Sequence, residues 1–158
     1  MQGIKLLFVG RTDKSEIRAL MQEYEKRLSR FIQLEIQELP DIKTRKNLSH
    51  DEQKRLEGEM ILSAVAPQDD VILMDEHGKQ PTSIELARIL EQKTLTVPKR
   101  LIFVIGGPYG FSQEVYQRCP QKLSLSKLTF SHQMVRLFLI EQIYRGFTIL
   151  HNHPYHHE

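Results

Sequence analysis

The C-terminal part of the chain carries four side chains that could move a proton or grip a nucleobase: His132, Arg136, His153 and Tyr155. An imidazole whose pKa lies near neutrality, or a phenolic oxygen, can accept a proton directly or through water. A guanidinium can stabilise negative charge that develops on a ring oxygen. These residue types therefore suit the deprotonation of a weakly acidic group on a substrate.

Structural explanations compete with this chemistry. His132 immediately precedes an apolar run and could cap the helix that begins there. Arg136 interrupts that run, so its charge needs a partner, and an ion pair with Glu141 competes with binding of a phosphate or substrate. His153 and Tyr155 lie in a short proline-containing tail that cannot be core helix, which favours a functional role.

The histidine-rich tail could also suggest a metal site. His151, His153, His156 and His157 have no cysteine or carboxylate at ligand spacing, so we predict no bound metal. The lone Cys119 cannot form an internal disulfide, and a free cysteine is more often a small buried hydrophobe than a nucleophile. It is left out of the candidate site.

Glycines follow the most strand-like segment, Leu101–Ile105, in the sequence Gly106-Gly107-Pro108-Tyr109-Gly110. Their spacing does not match the dinucleotide fingerprint, and the chain has no Walker A sequence. They do leave backbone without side chains after a buried strand, where a flat ligand could lie. A tight turn with nothing bound is the alternative that the spacing leaves open.

The elements that must position these residues alternate between strands and helices. Apolar runs at Ile4–Val9, Val71–Met74 and Leu101–Ile105 predict buried strands, with a turn at Asp75–Gly78. Alternation from Ile32 to Ile36 predicts a strand with one wet face, towards a sheet edge. This order predicts an α/β fold with a mostly parallel sheet, in which ligands bind beyond the carboxyl ends of strands.

Capping residues mark where the helices begin. Ser15 can cap the first helix, and two capping boxes, Ser49 with Glu52 and Thr82 with Glu85, predict the next two. The last helix, from about Gln133 to Thr148, is apolar on nearly every side, which predicts that its own core and a second subunit cover it. In the polar loop before Ser49, basic residues could touch RNA or simply be solvated, namely Lys43, Arg45 and Lys46.

Composition predicts one domain over residues 1–158, because 40% hydrophobic content suffices for a single core. The net charge of +2, from 22 basic and 20 acidic residues, excludes a strongly basic protein that coats nucleic acid of any sequence. No apolar run reaches the roughly eighteen residues of a membrane span, and the N-terminus lacks a basic region with a cleavage site. We therefore expect a soluble, cytoplasmic protein.

Three segments in order resemble a known family: Ile105–Gly110 (IGGPYG), Leu123–Phe130 (LSLSKLTF) and Asn152–His156 (NHPYH). In a chain of this length they resemble the ribosomal RNA large subunit methyltransferase H family of SPOUT methyltransferases, from the first strand to the final residues. The resemblance implies a SPOUT fold with a mostly parallel sheet, helices on both faces and a C-terminal trefoil knot. It also implies a homodimer that holds S-adenosylmethionine bent in the knot.

The resemblance also places the cofactor contacts. They are the residue before the acidic end of the third strand, the first glycine of the turn, and a six-residue loop. The positions are Met74, Gly106, Leu125, Ser126, Lys127, Leu128, Thr129 and Phe130. Met74 stands where the family has leucine, a near-isosteric change that should keep an apolar contact with the adenine.

The implied reaction is methylation of N3 of a pseudouridine in 23S ribosomal RNA, within the ribosome. N3 must lose its proton and lie in line with the methyl group, about 3 Å away. His153, Tyr155 and Arg136 are the expected catalytic residues, and His132 and Arg136 the expected substrate contacts.

Two other functions stay open. A non-catalytic ribosome-binding module would share the fold without cofactor affinity, but the intact Gly106 and Ser124–Thr129 segments favour the enzyme. A SPOUT methyltransferase acting on transfer RNA is the second alternative. The 158 residues leave no room for an appended RNA-binding domain, which favours recognition of an already assembled surface.

Overall fold

A computed structural model describes residues 1–42 and 47–157, in which five strands alternate with five helices. The basic residues of the loop before Ser49 fall outside the described residues, so their contact with RNA stays a prediction. The strands are β1 (Gly3–Val9), β2 (Leu34–Leu39), β3 (Asp70–Lys79), β4 (Arg100–Ile105) and β5 (Gln121–Leu123). The helices are α1 (Ser15–Leu28), α2 (His50–Ser63), α3 (Ser83–Thr96), α4 (Gln113–Arg118) and α5 (His132–Leu150).

The five strands form one sheet in the order β2-β1-β4-β3-β5, and every neighbouring pair is parallel. Strands β1 and β4 lie inside the sheet and are almost wholly buried, because their apolar runs are covered on both faces. The alternating segment forms β2 at an edge of the sheet. The predicted parallel α/β sheet and the edge position of the alternating strand are both confirmed.

Helices cover both faces of the sheet, as predicted. On one face α1, α3 and α5 pack against side chains such as Leu6, Phe8 and Phe103. On the other face α2 and α4 pack against Leu7 and Val104 of the same strands. Successive residues of β1 and β4 point to opposite faces, which divides the core into these two layers. The trefoil knot stays a prediction.

The two predicted capping boxes are confirmed. The Ser49 hydroxyl accepts from the Glu52 amide at 3.1 Å, and the Thr82 hydroxyl accepts from the Glu85 amide at 3.2 Å. The predicted cap at Ser15 is wrong, because Lys14 has the extended backbone of the N-cap and Ser15 is already helical. The Ser15 hydroxyl donates instead to the carboxylate of Glu16.

Strand β3 runs through Asp75–Gly78, where a turn was predicted. The strand continues because β5 pairs with it on either side of an irregularity, at Met74 and again at Lys79. At Gly78, a β-carbon would lie 2.5 Å from the carbonyl carbon of Leu123, so only glycine lets the two backbones approach this closely. This pairing brings the end of β3 beside the end of β5.

Helix α5 starts one residue and ends two residues beyond its predicted limits, and packs against both α1 and α3. Gly146 allows the close approach to α3, since a β-carbon there would lie 2.6 Å from Cδ1 of Leu90. Met134 and Phe138, one turn apart, remain 37% and 39% exposed, and we name this pair the α5 apolar patch. Among the described residues, no helix combines the length and apolar character needed to cross a bilayer.

Candidate functional site

A cleft of about 790 Å³ lies beyond the carboxyl ends of β3, β4 and β5. Its volume falls within the range of about 300–1,000 Å³ that is typical of small-molecule sites. Its walls come mainly from the end of β3, the glycine turn after β4 and the loop after β5. These segments include every predicted cofactor position, Met74, Gly106, Leu125, Ser126, Lys127, Leu128, Thr129 and Phe130, and the predicted substrate residue His132.

The glycine turn is fixed from behind by packing. A β-carbon on Gly106 would lie 2.8 Å from the ring of Phe111, and one on Gly107 would overlap the carboxylate of Glu57. Glu57 lies on α2, is almost completely buried and accepts a hydrogen bond from the Gln53 side chain at 2.9 Å. Both glycines are therefore required by the protein's own packing, whether or not a ligand lies in front of them.

The loop after β5 is shaped by hydrogen bonds within itself. The Ser124 hydroxyl donates to the Ser126 carbonyl at 2.8 Å, and the Ser126 hydroxyl accepts from the Leu128 amide at 3.0 Å. The Ser124 amide donates to the carbonyl of Lys79, which ties the loop to β3. These bonds hold the loop in one shape, with Leu128 75% exposed at its tip.

An acidic group of β3 and a phenolic group of α4 that sequence reasoning missed meet at the cleft. Asp75 accepts hydrogen bonds from the Tyr116 hydroxyl and from the His77 amide, and all three residues line the cleft. Burial, followed by the hydrogen bond to Asp75, raises the pKa of Tyr116 to about 12, so this phenol stays protonated near neutrality. An acidic residue directly after a buried strand was the signal that could have identified Asp75.

His132 lines the cleft from the first turn of α5. The alternative that His132 caps this helix is wrong, because Ser131 is the N-cap and its hydroxyl accepts from the Met134 amide at 3.2 Å. A cap must precede the first helical residue, and His132 is that residue. Its side chain is therefore not required for capping.

Arg136 is 2% exposed and lies against the end of β1. Its guanidinium donates to the carbonyls of Val9 and Gly10 and to the Thr12 hydroxyl at 2.9–3.1 Å, and lies over the ring of Phe8. Burial lowers the pKa of Arg136 from its ordinary value. The catalytic and substrate contacts expected of Arg136 stay predictions, since this residue does not line the cleft.

The alternative partner of Arg136, Glu141, is engaged elsewhere. Its carboxylate accepts hydrogen bonds from Arg145 at 2.6 Å and from the Tyr155 hydroxyl at 3.0 Å. The Arg136–Glu141 ion pair considered from the sequence is therefore wrong. Residues along α5 therefore bind different parts of the chain. Arg136 binds the end of β1, whereas Glu141 and Arg145, further along the helix, hold the tail.

The tail residues His153 and Tyr155 do not line the cleft. Tyr155 packs edge-on against Tyr144, and its hydroxyl contacts both Glu141 and Tyr24. Burial, then the hydrogen bonds with Tyr24 and Glu141, raises the pKa of Tyr155, so this phenol stays protonated near neutrality. The His153 side chain is exposed. Their catalytic roles stay predictions.

Within residues 1–42 and 47–157, no three histidine, cysteine, aspartate or glutamate side chains form a group that could hold a metal ion. The cleft wall instead combines a glycine turn, apolar side chains such as Met74 and Leu125, and the hydrogen-bonded carboxylate of Asp75. Such a surface suits an organic ligand with a flat ring and hydroxyl or cationic groups.

Comparison with known proteins gives consistent matches over nearly the whole chain. The family described as "Predicted SPOUT methyltransferase" matches residues 1–156. A ribosomal RNA large subunit methyltransferase H of Christiangramia forsetii is 56% identical over 154 residues, covering 98% of each chain. Proteins of the same name from Parabacteroides distasonis and Flavobacterium johnsoniae are 54% and 52% identical, covering 98% and 99% of this chain and 99% of each relative.

Proposed function

We propose, because the chain belongs to the SPOUT methyltransferase family, that it methylates ribosomal RNA of the large subunit. In finer terms, we propose N3 of a pseudouridine in 23S ribosomal RNA as the target, the ribosome as the substrate particle and S-adenosylmethionine as the methyl donor. The observation that carries the proposal is the cleft, which collects all the predicted cofactor positions at three neighbouring strand ends.

The residues of the cleft fit this donor. Met74 and Leu125 offer apolar contacts for an adenine ring, and the glycine turn offers backbone without side chains. Asp75 is suited to accept from ribose hydroxyls and to complement a positive charge. S-adenosylmethionine supplies an activated methyl group on a sulfonium, and catalysis then depends mainly on the position of the acceptor nitrogen.

The acceptor N3 must lose its proton, and the contacts of this chain favour a histidine over a phenol for that task. Tyr116 and Tyr155 both have raised pKa values, so near neutrality they donate hydrogen bonds and do not accept a proton. His132 already lines the cleft. His153 lies outside it and is exposed, so we propose that it reaches the cleft of a second copy of the chain.

A homodimer in the cytoplasm is therefore part of the proposal. The α5 apolar patch is exposed, and beside it the ring of Phe130 contacts Phe138 at a centroid distance of 5.2 Å. Phe130 also lines the cleft, so a second copy seated on this patch would border the site. Covering the patch removes apolar surface from water, which favours association.

Titration with S-adenosylmethionine, together with methyl transfer to intact ribosomes, separate subunits or free RNA, tests the proposal. Ser126→Ala should weaken cofactor binding about fivefold and lower the melting temperature by no more than about 2–4 °C, because the loop loses one hydrogen bond worth about 1 kcal/mol. Ser29→Ala is the matched control: its hydroxyl donates to the Lys26 carbonyl at the end of α1, away from the cleft.

Each alternative predicts a different result. A ribosome-binding module without catalytic function would bind ribosomes but not S-adenosylmethionine. A transfer RNA methyltransferase would bind the cofactor and leave ribosomal substrates unmethylated. Equal cofactor affinity in Ser126→Ala and Ser29→Ala would contradict the assignment of the Leu125–Phe130 loop to the cofactor.

A further inference from the structure

The ring of Tyr109 forms part of the cleft wall but has few contacts of its own. It is 41% exposed, and among the described residues its hydroxyl has no hydrogen-bond partner. Its ring lies flat on the imidazole of His50, with centroids 3.8 Å apart and planes inclined by 17°. Tyrosines that serve the core are usually buried with a bonded hydroxyl. Tyr109 has neither property.

The backbone that carries Tyr109 is held firmly. Gly107 packs against the buried carboxylate of Glu57, and Gly106 packs against the ring of Phe111. The Gly110 amide closes the turn on the Gly107 carbonyl at 3.3 Å, with Gly110 in the left-handed region at φ +82°. The turn therefore projects the tyrosine ring from a fixed base, which lowers the entropy cost of using the ring as a contact.

The stack with His50 is not needed to attach α2 to this turn. Glu57 already joins α2 to the turn at Gly107, and Gly58, where a β-carbon would lie 2.5 Å from the Ser112 hydroxyl, joins α2 to the start of α4. His50, the first residue of α2, is itself exposed. The Tyr109 ring in the cleft wall and the His50 ring, which does not line the cleft, thus form a short aromatic stack that the packing of the protein does not require.

We propose that Tyr109, backed by His50, is a stacking platform for an unpaired nucleobase of the RNA substrate. This inference rests on the proposed function, because a methyl group can reach a base nitrogen only after the base has left its helical stack and entered the cleft. Proteins commonly hold splayed bases on aromatic rings, and such stacking tolerates any base because each has a π-face. An exposed ring beside the donor positions fits that task.

Substitutions at Tyr109 separate stacking from other roles. Tyr109→Ala should lower kcat/KM for the ribosomal substrate at least tenfold, chiefly through KM, whereas Tyr109→Phe should keep it within about twofold. The dissociation constant for S-adenosylmethionine, measured by calorimetry, should not change in either variant. His50→Ala should give an intermediate loss, because it removes the support of the ring and leaves the ring in place.

Leu95→Ala is the matched control for loss of an exposed apolar side chain, since Leu95 is 82% exposed at the end of α3 and outside the cleft. Melting temperatures of all variants show whether the fold is kept. Wild-type kcat/KM in Tyr109→Ala, or equal losses in the Phe and Ala variants, would overturn the inference. Weaker cofactor binding in Tyr109→Ala would overturn it too, by assigning the ring to the donor.

The result that would overturn the proposed function differs from the result that would overturn the stacking platform. An inactive wild-type protein on every ribosomal substrate overturns both the function and the platform. An active wild type with an equally active Tyr109→Ala variant overturns the platform alone.

Discussion

At the scale of single residues, hydrogen bonding divides the polar side chains of the C-terminal tail into two groups. Tyr155 is half-buried and joined to Glu141 and Tyr24 through its hydroxyl, and the guanidinium of Arg145 lies over its ring at 4.8 Å. His153 contributes only backbone bonds among the described residues, to Thr148 and to Tyr155. We therefore expect substitution of Tyr155 to lower stability, whereas substitution of His153 should leave stability unchanged and test its proposed catalytic role alone.

Tyr155→Phe should lower the free energy of unfolding by about 1 kcal/mol, because it removes the hydroxyl that bonds Glu141, and lower the melting temperature by about 2–4 °C.

His153→Ala should change stability by less than about 0.5 kcal/mol and abolish methyl transfer, with cofactor affinity unchanged in both variants. Thermal unfolding, calorimetry and turnover on ribosomes measure these three quantities. Full turnover in His153→Ala would remove this residue from the mechanism.

At the scale of elements, the first turn of α5 connects the cleft to the rest of the sheet. His132 lines the cleft, Gln133 accepts from the Asp13 amide at 2.8 Å, and Arg136 binds the carbonyls at the end of β1. A single helical turn thus fixes both the loop after β1 and a wall of the cleft. The Ser131 cap determines where this turn begins.

Ser131→Ala should cost about 1 kcal/mol, because the Met134 amide loses its hydrogen-bond acceptor at the helix start. His132→Ala is the matched control and should cost less, since its side chain follows the cap. Urea denaturation measures the free energy of unfolding of each variant. A larger loss in His132→Ala than in Ser131→Ala would contradict the assignment of the cap.

At the scale of the whole molecule, the α5 apolar patch predicts association of two copies. Met134→Glu should shift the protein towards the monomer, because it places a charge in a surface that must be desolvated. Met134 is the third residue of α5, where glutamate completes a capping box with Ser131, so the helix itself should not be weakened. Sedimentation velocity at micromolar concentration measures the change.

Leu20→Glu on α1 is the control for this experiment, since Leu20 is 45% exposed and lies outside the α5 apolar patch. It should leave the association state unchanged. A stable wild-type monomer at the same concentration would refute the predicted homodimer directly.

The sequence by itself determined the features that depend on neighbouring residues. The capping boxes at Ser49 and Thr82 were predictable because a cap bonds an amide three residues away. The strand Leu101–Ile105 and the parallel α/β class followed from apolar runs, and the resemblance then supplied cofactor positions that all line one cleft. Local hydrogen bonds and burial patterns depend on residues that lie close together in the sequence, so they can be predicted from it.

Only the tertiary structure decided which distant groups meet. Arg136 binds Gly10, 126 positions earlier, and not Glu141, because the end of β1 lies beneath α5. Strand β3 continues through Asp75–Gly78, where a turn was predicted, because β5 pairs with it. Gly107 is required because the carboxylate of Glu57 on α2 packs against it. The tail likewise lies on α1 and α5, away from the cleft. A buried charge or an unpaired strand edge must find a hydrogen-bonding partner among the groups that lie near it in the folded protein. Those groups can be far away along the chain, so a short stretch of sequence does not identify them.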